Sequence, residues 1–335
     1  MEAGSLSSKK TGAPKPSWAS GSGSHVGDAI LKYGLAGLAV GVLVLIAYFF
    51  VRLIVEAEPA LSQVGVIDFV FGDSWVPSQG DYGALPLLVG TLITSVIALI
   101  VGVPVAIATA LYITELCPKR FRGPLTVVVD LLAAVPSVVY GLWGIFFLAP
   151  KLEPAEKWFS ETFAFLPLVD PDKVSIPNYF VAGVILAIMI VPIVSAISRE
   201  VISTVPAEQK EGALALGATR WEMLRMAVLP YSRAGIAGAS MLGLGRAIGE
   251  TIAVVIVIGN AAVIGSTIFS QGYTLAAVIA NEFGEAASDP LHRAALIACG
   301  LLLFILTLIV NAIARYFVNK AEEGQASRVP AGMAG

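Results

Sequence analysis

Residues 208–230 read EQKEGALALGATRWEMLRMAVLP. Apolar side chains recur there at helical spacing: Leu214, Leu216, Met223, Leu224 and Val228 form a stripe, while Glu208, Lys210, Glu211, Arg220, Glu222 and Arg225 take the polar side. Gly217 falls between two short helical stretches, where a turn with positive φ favours glycine. Pro230 is expected to end the second stretch. The segment decides the fold through its surroundings. A charged helix–turn–helix is set between two long apolar runs, 179–198 and 234–262. That alternation suits a chain whose spans face hydrocarbon and whose loops face water.

Working outward, six segments carry the roughly 20 mostly apolar residues that cross a bilayer core: 31–55, 86–114, 124–149, 179–198, 234–262 and 292–318. The first exceeds the about 7–15 residues of a signal-peptide core, so it is expected to stay in the protein as a span. Pro104, Pro136 and Pro192 lie inside spans, where neighbouring helices or a cavity satisfy the freed backbone groups. Residues 1–27, rich in Gly, Ser, Lys and Pro, and residues 321–335 read as disordered tails. The expected fold is all-α: a polytopic membrane domain of six transmembrane helices over 28–320, with its one long charged loop at about 203–230.

Composition points the same way. The 335 residues are 57% hydrophobic and 13% charged, with a net charge of −3, whereas a soluble domain is about 25% charged. An ordinary soluble enzyme is excluded, and so is a nucleic-acid-binding domain, which needs a basic surface. Cys117 and Cys299 read as free thiols, and His25 and His292 are too few for a metal cluster or a catalytic dyad. The chain has no GxxxxGK[ST] phosphate cradle and no Gly-Lys dipeptide, so no cofactor is expected and any ATP must be bound by a partner subunit.

Lys and Arg favour cytoplasmic loops. With both termini inside, 15 of the 21 basic residues lie on the cytoplasmic side, five lie outside, and Arg246 remains within a span. The 208–230 loop is then cytoplasmic. The loops at 56–85 and 150–178 are external, acidic, and carry Trp75 and Trp158.

Arg246 and Glu250 stand in the fifth span, within GASMLGLGRAIGETIAVVIVIGN (238–260). At about 1.5 Å per residue, Arg246 lies about 18 Å deep, near the midplane. An Arg there costs about 2.5–3.5 kcal/mol on insertion scales. A spacing of four puts both side chains on one helix face. They either neutralise one another, or they form an anion site in which the guanidinium fork receives a tetrahedral oxyanion. In the second reading Glu250 steadies the fork and accepts the proton that HPO₄²⁻ has and sulfate lacks. Gly243, Gly245 and Gly249 near this face leave room for a helix or a substrate. Asp130 reads as an interfacial cap or a helix partner, and Pro136, Ser137 and Tyr140 either line a pore at a kink or mark an ordinary proline in a membrane helix. The hydroxyls of Thr91, Thr94 and Ser95 are expected to bond their own helix, and Glu115 and Cys117 to carry no special role.

The cytoplasmic segment has two readings on its own chemistry: an amphipathic hairpin on lipid headgroups, or a docking element for another protein. Its spacing decides between them by resemblance. Glu211-Gly212-Ala213, then Gly217, then Leu229-Pro230 resembles the EAA loop of ABC-importer permeases, with Gly212 and Ala227 in place of the usual Ala and Ile. Four stretches, DYGALPLLVGTLITS (81–95), AVPSVVYGLWGIF (134–146), ALGATRWEML (215–224) and LGRAIGETIAV (244–254), are similar to the PstC-type phosphate permeases of that family. The resemblance covers about residues 81–318. It implies the type I ABC-importer permease fold in a bacterial cell membrane, and phosphate passage at Arg246 and Glu250. It also implies coupling to an ATPase through Glu211, Gly212, Ala213, Gly217, Leu229 and Pro230. The implied partners are a PstA-type permease in a heterodimer, a PstB-type ATPase dimer and an extracytoplasmic phosphate-binding protein. Two rivals stay open here: a permease for sulfate or molybdate, and an ion-coupled secondary transporter using the charged pair.

Overall fold

The computed structural model describes residues 24–166 and 169–326. The chain divides after Arg52 into two units. Helix α1 (Ser24–Val64) supplies all that is described of the first. Its Leu35, Leu38, Leu43 and Phe49 are exposed, as suits a helix whose solvent is lipid. Of the two tails expected from sequence, 1–23 and 327–335 lie outside the described residues. Residues 24–27 and 321–326 are helical, not irregular.

The second unit is a helical bundle with one small hairpin, β1 (Trp75–Val76) against β2 (Asp81–Tyr82), after the short α2 (Val66–Phe71). Its core is the pair α3 (Leu85–Leu111) and α7 (Tyr179–Ser203). Small residues bring these backbones together: a Cβ on Gly183 would meet Ile97 at 2.5 Å, and one on Gly102 would meet Ile190 at 2.9 Å. Lipid gives helices no hydrophobic push toward each other, so close approach of this kind supplies the attraction. Thr91 and Thr94 donate to Leu87 and Gly90 carbonyls of their own helix, as expected, but Thr91 Oγ1 also accepts the Leu275 N–H. That bond fixes the start of α12 (Leu275–Glu282), which packs on the last helix, α13 (Pro290–Ala326).

All six apolar runs are helical over most of their length, but six straight spans are not what forms. Among the described residues, four helical stretches are long and apolar enough to cross a bilayer: Ala29–Val64, Leu85–Leu116, Tyr179–Ser203 and Pro290–Tyr316. The expected third span is bent by 89° between α4 (Lys119–Ala133) and the helix that starts at Ser137. Pro136 disfavours helical backbone at Val135 and removes a donor, which stops α4. The chain restarts as α5 (Ser137–Trp143), widens into a π turn (Gly144–Leu148), and continues as α6 (Ala149–Thr162) into what sequence reads as external loop. Pro104 and Pro192 sit inside unbroken helices. The expected fifth span is also interrupted, with α10 (Leu229–Ile248) and α11 (Ile252–Val257) separated by Gly249–Thr251.

Candidate functional site

The interruption at Gly249 is where the two span charges meet. Arg246 lies in the last turn of α10, whose end is closed by Gly249 N–H donating to Gly245 O. Glu250 therefore stands in the break and not one turn further along a helix. Arg246 Nη2 and Glu250 Oε2 are 3.8 Å apart, with the Arg side chain 41% exposed and the Glu 9%. That separation is within ion-pair range but beyond hydrogen-bond range, so Glu250 does not occupy the guanidinium donors. Gly243 serves packing, since a Cβ there would meet Val194 at 2.6 Å. A Cβ on Gly245 would meet open space. The two broken spans come together: α5 packs on α11, with Gly141 against Ala253 and Ile256. Tyr140 donates its phenol to Leu132 O across the kink. Irregular backbone at membrane depth persists only where protein buries it or where it lines a wet cavity.

The segment read as cytoplasmic forms α8 (Ala207–Ala215), a turn, α9 (Arg220–Met223) and a π turn (Leu224–Val228) that runs straight into α10. Gly217 has φ +87°. Ala218 N–H bonds Ala213 O and Gly217 N–H bonds Leu214 O, the two bonds of a Schellman stop. Thr219 and Glu222 then form a capping box that starts α9. The backbone and hydroxyl of Thr219 hold the Glu222 carboxyl below its usual range. Pro230 does not end a helix. The π turn supplies Leu229 N–H to Leu224 O, and Pro230 sits at the second position of α10, where its missing donor is tolerated. The apolar stripe also splits. Met223, Leu224 and Val228 are buried with Ile202, Val205 and Ile236, whereas Leu216 is 91% and Trp221 64% exposed. The turn at Gly217 redirects the chain, so Leu214 and Leu216 do not continue the buried face of the second half. Glu211, Gly212 and Pro230 are exposed, and Ala213 and Leu229 pack against the buried cluster.

Residues 102–323 match the family described as binding-protein-dependent transport system inner membrane component. The chain belongs to that family. A phosphate transport system permease protein PstC of Mesorhizobium japonicum is 42% identical over 299 residues, 88% of this chain and 91% of that protein. PstC 2 of Mycobacterium tuberculosis is 44% identical over 297 residues, 86% and 91% of the two chains. A chain of a bacterial ABC transporter for alginate, crystallised with its pentasaccharide-bound periplasmic protein, aligns over 89% of this chain and 98% of its own. Its TM-score is 0.59 at 20% identity, a likeness of fold.

In this inner membrane component, the fold also makes contacts that the sequence does not announce. Lys210 Nζ and Glu115 Oε1 are 2.6 Å apart, and Arg199 Nη2 and Asp130 Oδ1 are 2.6 Å apart. Asp130 is thus the helix partner that its position suggested, while Glu115 is engaged where no role was expected. On the side read as external, Glu282 Oε2 accepts from Trp75 Nε1 at 3.0 Å and lies 3.0 Å from His292 Nε2, and the Tyr82 and His292 rings stack at 5.8 Å. These partners are 95, 69 and 207 residues apart in sequence, and only an isolated charge or aromatic in an apolar setting hints at any of them.

Proposed function

We propose that this chain is the membrane-spanning permease subunit of an ATP-driven inorganic phosphate importer. The observation that carries the reading is the 42–44% identity, along about nine-tenths of their length, to permeases named for phosphate transport. Arg246 supports it physically, because a guanidinium whose donors Glu250 leaves available, set beside a break in a span, suits a tetrahedral oxyanion. Glu250 adds selectivity by accepting the proton of HPO₄²⁻, and it repels a fully ionised oxyanion such as sulfate.

The mechanism is alternating access. An extracytoplasmic phosphate-binding protein docks on the external loops and releases its ligand into an outward-open cavity. This chain pairs with a PstA-type permease, and a PstB-type ATPase dimer binds below. Glu211, Gly212, Ala213 and Gly217 belong to the docking element, with Leu216 and Trp221 as its exposed apolar contacts. Leu229 and Pro230 join it without interruption to α10, and therefore to Arg246. Movement of the loop is in this way movement of the helix that ends at the charged break. The termini and the loop lie in the cytoplasm, following the distribution of basic residues.

The test is uptake by proteoliposomes holding the complex purified through this chain. Radiolabelled phosphate should accumulate only with ATP and binding protein, and excess sulfate should not compete. Uptake that runs on an ion gradient without ATP, or that sulfate suppresses equally, would overturn the reading.

A further inference from the structure

The first helix of the coupling loop, α8, is fastened to the bundle by very little. Of the nine residues of α8, only Lys210 and Ala213 are withdrawn from solvent. They are three apart and so share one face. Ala213 packs against the apolar cluster of Leu111, Val205 and Leu224. Lys210 reaches Glu115 at 2.6 Å, with side chains only 20% and 12% exposed. A helix of this length is marginal on its own, so its position is set by its ends and by these two contacts.

Glu115 is well placed to receive a force. It lies in the π turn Tyr112–Leu116 that terminates α3, and α3 packs on both α7 and α10. The same turn is tied to α4 by Arg122 Nε donating to Cys117 O at 3.1 Å, and α4 to α7 by Asp130 and Arg199. Glu115, Arg122, Arg199 and Lys210 line one cleft of about 570 Å³ beside the loop. Of these polar links, Lys210–Glu115 is the one that touches α8 itself.

We propose that Glu115 and Lys210 are positioning residues: their ion pair carries movement of α8 into α3, and so couples nucleotide turnover to the span break. The inference rests on the permease reading above. It adds a second route beside the continuous helix from α9 to α10, and that route enters the bundle from the opposite end of the loop.

The experiment uses the purified complex in proteoliposomes, reading solute moved per ATP hydrolysed. Glu115→Gln and Lys210→Gln should each lower that ratio by about threefold or more, the scale of effect along a coupling route, with assembly unchanged. The exchange Glu115→Lys with Lys210→Glu should recover most of it. Asp130→Asn, which removes an ion pair from the same cleft without touching α8, should leave the ratio near wild type. A link that only props up the loop would lower uptake and hydrolysis together, with no change in ratio. That result, an exchange no better than the single variants, or an Asp130→Asn loss equal to that of Glu115→Gln would overturn the proposal. A second readout does not depend on the solute. With Cys117 and Cys299 replaced by Ser, an Ile252→Cys reporter beside the break is labelled by maleimide with and without vanadate-trapped nucleotide. The nucleotide-dependent change in labelling should vanish in Glu115→Gln and return in the exchange; its persistence in Glu115→Gln would refute the link. If the wild type moves no phosphate, the proposed function fails while this reporter still decides the coupling role.

Discussion

Replacing Gly217 by Val tests the turn between α8 and α9 and little else. At φ +87° the backbone is in the left-handed region, and an added Cβ would meet no atom within 4 Å. The penalty is therefore conformational and not a clash. A β-branched residue held there costs about 2 kcal/mol, within the usual range for backbone strain. That corresponds to about a thirtyfold shift against the native turn. The second half of the loop should hold, because Met223, Leu224 and Val228 are buried in their own cluster and Thr219–Glu222 caps α9 from below the turn. The strain falls on α8, whose last turn is closed by the Gly217 and Ala218 amides. The expected outcome is a complex that inserts normally but binds its ATPase weakly or hydrolyses without transport. Gly217→Asn, which tolerates the left-handed region, should lose far less. The assay is ATPase stimulation and uptake in proteoliposomes, normalised to assembled complex. A Gly217→Val complex with normal transport and normal stimulation would refute the argument, as would Asn and Val variants that are equally impaired.

Two further outcomes are expected. A cysteine at Asp73 should react with a membrane-impermeant thiol reagent added outside, and one at Gln209 should not; opposite labelling would invert the topology and remove the coupling reading. Burial, with the Asp289 and Glu282 carboxylates, raises the Tyr82 phenol above its usual value. A group raised in the folded state stabilises fully below its unfolded pKa of about 10, and that contribution is lost as pH climbs through the raised value. Tyr82→Phe should thus flatten the alkaline loss. Thermal melts between about pH 8 and 11 check this, and an unchanged alkaline slope would contradict it.

What could be read from the sequence follows physical range. Apolar runs report burial in lipid locally, so the regions of the spans were legible, and a glycine between amphipathic stretches announced the Gly217 turn. Interruptions were not. Pro136 and Pro192 look alike in sequence, yet one bends a span by 89° and the other lies in a continuous helix. A window along one chain does not distinguish the two. Pro230 was misread for a related reason: a π turn upstream satisfies the backbone that a proline would otherwise disrupt. The Arg246–Glu250 pair was legible as chemistry because a charge in an apolar run stands out. Its placement across a break, with the carboxylate outside the helix, was not. Lys210–Glu115 and Trp75–Glu282–His292 were invisible, since ordinary charges at loop edges acquire meaning only when the fold brings distant ones together.

The most direct test of the account is phosphate uptake by the double variant Arg246→Gln with Glu250→Gln. If the residues only neutralise one another, removing both leaves no uncompensated charge and uptake should return after being lost in the single variants. The observed geometry gives the pair little structural weight, because at 3.8 Å the two side chains are beyond hydrogen-bond range. The account predicts a double variant that assembles and hydrolyses ATP like wild type but moves no phosphate. Near-normal uptake by that variant would contradict it.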